Sequence, residues 1–138
     1  MPADFTLDPP NRLVRTRGRD LVTAGDLYAL GSSIRQLFAD GTIDAGWSEL
    51  VDFREVTRTE LVPAEAVREL ARNNPWPSTA RRVILAPVTV VFGVSRMYQL
   101  LATSPNEEIA VVRTEAEALE FLATGQHANE PPSDGSPQ

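Results

Sequence analysis

The stretch that most constrains this chain is the apolar segment from Arg81 to Thr103. Val83, Ile84 and Leu85 follow one another, and such an uninterrupted apolar run predicts a strand that is buried on both faces. Pro87 marks the turn after it, and the helix predicted next is the most apolar in the protein. A doubly buried strand that feeds a helix is typical of parallel α/β sheets, so we expect further strand–helix units beside it.

Alternation of apolar and polar residues predicts the other strands. They cover residues 4–8, 12–17, 48–53 and 108–113, with a proline-rich turn at 9–11 between the first two. Residues 54–62 are predicted to form a polar loop. The strand patterns and the intervening helices predict one α/β domain of order β-β-α-β-α-β-α-β-α, with a mostly parallel five-stranded sheet and an antiparallel hairpin at its start.

Helix start signals place the other three helices. Thr23 with Asp26, and Thr114 with Glu117, read as capping boxes, while Pro63 suits the first turn of the second helix. The domain is predicted to cover residues 1–124. Residues 125–138 are rich in Pro, Ser, Asn, Asp and Gly, which predicts a disordered polar tail.

Composition excludes several function classes. The formal net charge of −6 argues against a nucleic-acid partner, and the lack of cysteine excludes disulfides and thiolate chemistry. The single histidine, His127, falls in the predicted tail, so we expect no histidine inside the domain to act as the general base for a serine or threonine nucleophile. We therefore expect no enzyme, no cofactor and no metal. No apolar run approaches the ~20 residues of a membrane span, and the N-terminus lacks a signal-peptide pattern, so a cytoplasmic location is expected.

The third helix carries apolar residues on more than one side. At 100° per residue its predicted core face holds Val90, Val91, Val94, Met97, Tyr98 and Leu101. Phe92, Arg96 and Gln99 fall on the other side, where an aromatic and an arginine resemble an interface anchor. The alternative is that a neighbouring loop or the last helix covers them. Trp76, between two prolines, is expected to cover an edge of the core; the alternative is a role in recognition.

Three segments of the sequence resemble those of the STAS domains, the fold of the anti-sigma factor antagonists, and of their lipid-binding CRAL-TRIO relatives. They are residues 50–54 (LVDFR), 91–98 (VFGVSRMY) and 117–122 (EALEFL). The resemblance implies a small stand-alone regulatory domain. STAS antagonists carry a phosphorylated Ser or Thr in an Asp-Ser-Ser/Thr-Gly type motif, which this chain lacks; Thr57 and Thr59 are the candidate phosphorylation sites at that place.

Two functions follow as hypotheses. The first is a non-enzymatic interaction module of STAS-like type, which forms a homodimer through Phe92, Arg96 and Gln99 and binds a regulatory protein partner. The second is a small carrier for a lipid or another amphipathic ligand. The carrier requires an apolar pocket between helices and sheet, and so short a chain is expected to have few helical residues to spare for one.

Overall fold

The protein folds as a mixed five-stranded sheet with helices on both faces. The structure is a computed structural model that describes residues 3–102 and 108–125. The strands are β1 (Ala3–Asp8), β2 (Leu13–Leu21), β3 (Ser48–Arg58), β4 (Arg81–Leu85) and β5 (Glu108–Val112). The helices are α1 (Ala24–Ala39), α2 (Ala64–Arg72), α3 (Thr89–Ala102) and α4 (Glu115–Thr124). The predicted tail beyond Gly125, with His127, lies outside the described residues.

The strands follow one another across the sheet in chain order, and the predicted fold class is confirmed. β1 pairs antiparallel with β2, and β2 to β5 pair parallel. Both predicted capping boxes form, with Thr23 and Thr114 as the N-caps of α1 and α4. No helix in the described part of the chain is both long and apolar enough to cross a membrane.

Each face of the sheet has its own apolar core. On one face, Ala118 and Phe121 of α4 join a cluster built on strand residues such as Leu50 and Val83. On the opposite face, Val91 of α3 clusters with Ile84 and its neighbours on the strands. Alternation along β3 and β4 sends successive side chains to these two cores.

The strand β3 is longer than predicted. Residues 54–58 continue it, so the prediction of a loop from residue 54 was wrong over these residues. β2 continues past an irregularity after Arg17 and offers backbone partners to this extension, pairing Arg19 with Glu55 and Leu21 with Arg58. Gly18 lies at the irregularity, where an added Cβ would stand 2.9 Å from Val56 Cγ2. The polar sequence belongs to a strand because its backbone finds a partner, and only the inward Val56 needs to be apolar.

The helix α3 is rotated from its predicted orientation. Val90, Met97 and Leu101 were expected in the core, yet they are 52%, 38% and 45% exposed. Val91 and Ser95 are its buried residues. Because apolar residues occur around most of this helix, periodicity did not fix which side faces the sheet. The rotation leaves an exposed apolar stripe on α3, formed by Val90, Met97, Leu100 and Leu101.

Candidate functional site: a cavity beneath helix α2

Helix α2 packs on its neighbouring helices and stands off from the sheet. Its buried residues, Ala66 and Val67, cluster with Leu27 of α1 and with Val94 and Tyr98 of α3. Its main packing partners are therefore α1 and α3 rather than the strands. The space between α2 and the strands below it is not filled by side chains.

A cavity of about 550 Å³ occupies that space. Its walls are mainly apolar and come from α1, α2 and α3, from the strands beneath them and from the segment after α2. Among the apolar lining residues are Leu27, Leu30, Ile34, Val51, Phe53, Val67, Leu70, Trp76, Ile84 and Val94. Ligand pockets in proteins commonly have volumes of ~300–1,000 Å³ with apolar walls and few polar groups, and this cavity has both properties.

The floor of the cavity carries a buried ion pair. Arg82 Nε donates to Glu49 Oε1 at 3.0 Å, and the two side chains are only 9% and 4% exposed. The second carboxylate oxygen, Oε2, accepts from the Thr16 hydroxyl at 3.1 Å. These residues lie on adjacent strands at positions that point to the same face as Val51 and Ile84. Charged side chains thus stand where a packed sheet would present apolar ones.

The Arg82 guanidinium is enclosed on its other sides. Its Nη1 donates to Asn74 Oδ1 at 3.1 Å and its Nη2 to the Tyr98 hydroxyl at 3.0 Å. Its carbon lies 5.8 Å from the centroid of the Trp76 ring and 5.4 Å from that of Tyr98, within cation–π range. Burial by itself lowers the pKa of Arg82, but the interactions with Tyr98 and Glu49 together outweigh it. The net shift of the pKa is upward, so the guanidinium stays protonated.

One buried side-chain atom among the described residues has no hydrogen-bond partner. It is the indole nitrogen of Trp76, a residue that is 5% exposed and lines the cavity with its ring. Ser95, also 5% exposed, lines the cavity from α3 and brings a hydroxyl group to its wall. Most buried polar groups in native proteins are paired, so the unpaired indole N–H is an exception.

Exposed side chains of α1 and α2 form the mouth of the cavity. Tyr28, Ser32 and Arg35 line it from α1, and Glu69 and Asn73 from the end of α2. Arg35 Nη2 donates to the backbone carbonyl of Asn73 across this opening. Gly31 lies on the same side of α1, and an added Cβ there would meet no atom within 4 Å.

The residues predicted as an interface lie on α3, away from the cavity. Phe92 is half-buried beneath the Arg113 guanidinium, whose carbon is 4.0 Å from the ring centroid. Gln99 accepts from the exposed Arg96 at 2.6 Å and donates to the Ile109 carbonyl at 2.7 Å. The covering of Phe92 by Arg113 is the alternative raised from sequence. Contact of these residues with a partner stays a prediction.

The two candidate phosphorylation sites lie near the end of β3. Thr57 is exposed within β3, and Thr59 follows the end of that strand, where its carbonyl accepts a turn hydrogen bond from Val62. Phosphorylation of either residue stays a prediction. Among residues 3–102 and 108–125, no group of three or more His, Asp or Glu could hold a metal ion.

Comparison with known proteins gives no family for this chain. No protein-family model, no curated protein and no solved structure matches it. The resemblance to STAS domains therefore stays a prediction, and the function must be argued from the geometry.

The sequence also contains evidence for the ion pair on the cavity floor, which the prediction of the strands did not use. Glu49 and Arg82 each precede an inward apolar residue, Val51 or Ile84, by two positions. Period-two alternation places all four side chains on one face of the sheet. Opposite charges at inward positions of neighbouring strands indicate a buried pair, provided that the two strands are known to be adjacent.

Proposed function

We propose that this protein binds a small amphipathic ligand in the cavity beneath α2 and acts as its carrier. The observation that carries the proposal is the cavity itself, an apolar chamber of about 550 Å³ over a polar floor. Protein interiors are close-packed, and unfilled space deprives its lining of dispersion contacts. A helix seated one side-chain layer closer to the strands would recover those contacts, so the stability of the fold does not account for this space.

The arrangement of α2 suits the entry of a ligand. This helix is held by α1 and α3, and its C-terminal end is tied to α1 by the bond from Arg35 to the Asn73 carbonyl. Breaking one exposed hydrogen bond costs only ~0.5–1.5 kcal/mol. The mouth can therefore widen without loss of the sheet or of the core beneath α4.

Two glycines provide a matched test of the cavity. Gly31 and Gly93 both lie inside helices, and a Cβ at either position meets nothing within 4 Å, but only Gly31 lines the cavity. We expect the wild type to bind the uncharged dye Nile red at one site, with a blue shift of its emission. Gly31→Leu should weaken binding at least ~tenfold, because its side chain occupies the cavity mouth, whereas Gly93→Leu should bind as the wild type does.

The glycine pair also gives the results that contradict the carrier function. Circular dichroism and unfolding curves should first be used to check that both variants are folded. Equal dye binding by the two variants would place the dye elsewhere. Absence of binding to the wild type, together with no co-purified small molecule in native mass spectra of several fresh preparations, would refute the proposal.

The exposed stripe on α3 favours a second function, protein contact. Leu100 and Val90 are 68% and 52% exposed, and Met97 and Leu101 adjoin them on the same side of the helix. Contiguous apolar patches on a protein surface mark interaction sites. We propose that a second copy of the chain covers this stripe to form a homodimer. The test is to measure the mass of the protein in solution after substitution of Leu100.

A further inference from the structure

The charged residues that line the cavity all lie at one end of it. They are Arg35, Glu49, Glu69 and Arg82. Glu49 and Arg82 are register partners near the amino ends of β3 and β4. Arg35 and Glu69 lie in the second halves of α1 and α2, and Asn74, which follows α2, accepts a hydrogen bond from Arg82. The charges therefore gather where the strands begin and where these two helices end.

The opposite end of the cavity has no charged lining residue. It lies where β3 ends and where α1 and α2 begin side by side, since the N–H of Ala24 donates to the carbonyl of Leu61. The lining residues at this end include Leu27, Phe53, Val62 and Val94. Phe53 follows Glu49 by four positions on β3, which is ~13 Å along a strand. The lining thus changes from charged to apolar along the direction of the strands.

A second cavity of about 30 Å³ adjoins the apolar end of the first. The two cavities share five lining residues, which are Leu27, Phe53, Val62, Val94 and Ser95. The other walls of the smaller cavity come from Val22, Val56, Thr59 and Val91, and none of its lining residues is charged. A charged group would lose its hydration there without a partner, whereas a hydrocarbon group would not. An apolar cavity of ~150 Å³ takes a benzene ring, so the smaller cavity has room only for the end of a slim chain.

From this arrangement, and resting on the carrier function proposed above, we infer how the ligand lies in the site and which residue limits its length. The ligand is a chain-like amphiphile. Its polar end lies at the charged end of the cavity, and its apolar chain runs along β3 toward Phe53. The tip of the chain enters the smaller cavity, where Val91, which is 1% exposed and lines only that cavity, limits the length of the chain.

Straight-chain primary alcohols from 1-hexanol to 1-dodecanol test the length limit by isothermal titration calorimetry. We expect the affinity of the wild type to rise about fourfold with each methylene that becomes buried, and to stop rising once the tip fills the smaller cavity. Val91→Ala removes two methyl groups from its wall and should move this limit to alcohols about two carbon atoms longer. Val91→Ile adds one methyl group and should move the limit about one carbon atom the other way.

A valine on the other face of the sheet provides the matched control. Val112 is as buried as Val91 but belongs to the core beneath α4 and lines neither cavity. Val112→Ala should therefore keep the length limit of the wild type. Circular dichroism checks the fold of all three variants, and Val91→Ala tests the limit even if the larger isoleucine is not accommodated.

The direction of the chain is tested by bromine quenching of Trp76, which lines the charged end of the cavity beside Arg82. The bromine of 2-bromo-1-decanol lies next to the hydroxyl group, and that of 10-bromo-1-decanol lies at the chain tip. The first alcohol should cause the larger loss of Trp76 fluorescence at saturation. Trp76→Phe retains Trp47 and gives the background to subtract.

The outcomes separate this inference from the function on which it rests. A length limit that neither Val91 variant moves, or an affinity that rises through the whole series in every protein, would overturn the role of the smaller cavity. Equal or reversed quenching by the two bromo alcohols would overturn the direction of the chain. Either result leaves the cavity a ligand site. If no alcohol binds the wild type and Nile red does not bind either, the carrier function fails and the inference with it.

Discussion

Removal of one member of the buried pair on the cavity floor should destabilise the protein strongly. Arg82→Met takes away the guanidinium but keeps a long apolar side chain, and it leaves Glu49 buried without its partner. Breaking a buried ion pair in this way costs ~3–5 kcal/mol. The total stability of a domain is only ~5–15 kcal/mol, so this single change removes a large part of it.

A surface pair on the same sheet provides the matched control. Arg54 Nη2 lies 2.7 Å from Asp52 Oδ2, closer than the buried pair, but the two side chains are 47% and 21% exposed. Exposed ion pairs contribute ~0.2–1 kcal/mol because water already solvates both charges. Arg54→Met should therefore cost less than ~1 kcal/mol, although the pair with Asp52 is the shorter one and a second exposed contact, with Glu115 at 3.5 Å, is lost with it.

Urea unfolding followed by far-ultraviolet circular dichroism measures both costs. With a urea dependence of ~1–3 kcal/mol per molar, a loss of ~4 kcal/mol lowers the unfolding midpoint by about 2 M. Circular dichroism is the better probe because Arg82 lies against the Trp76 ring, so its loss would change the fluorescence of the folded state directly.

The double variant Glu49→Leu/Arg82→Met completes the cycle. With both charges gone neither is left buried alone, so the double variant should be more stable than either single variant. The reasoning is refuted if Arg82→Met costs no more than Arg54→Met, or if the two single losses simply add in the double variant.

The remaining predictions concern the surface. The hydrogen bonds from Arg54 lower the pKa of Asp52 in the folded protein below its ordinary value of 3.8. The ionised carboxylate therefore stabilises the fold at any pH above 3.8, and this stabilisation is lost as the pH falls through the pKa that Asp52 has in the folded protein. Asp52→Asn should cost ~0.2–1 kcal/mol at pH 7, and the difference from wild type in urea unfolding should shrink below about pH 4; a constant difference would contradict this. Leu100→Asp should halve the mass found by light scattering, whereas Leu119→Asp on α4, 47% exposed, should not; equal masses for both variants and wild type would rule out the α3 dimer.

The order of the elements could be predicted because it rests on local patterns. Thr23 and Thr114 begin helices since each has an acidic residue three positions later, and the capping box needs nothing from the rest of the chain. The apolar run at Val83 to Leu85 likewise predicts burial on both faces, which the structure shows.

Predictions failed where two interpretations of the sequence were equally consistent with local rules. Residues 54–58 look like a loop until β2, extended past Gly18, offers them backbone partners. The α3 helix is apolar on several sides, so only its packing against β5 and α2 decides that Ser95 is buried and Leu100 is not.

The sequence by itself determined the α/β class, the strand–helix order and the apolar strands of the core, because these depend on periodicity and on local hydrogen bonding. Only the tertiary structure decided the site. Glu49 and Arg82 are 33 positions apart in the chain, and they form a pair because β3 and β4 are neighbours in register. The cavity above them exists because α2 packs on two helices instead of on the sheet, and the distance of a helix from a sheet is set by its neighbours rather than by its own sequence.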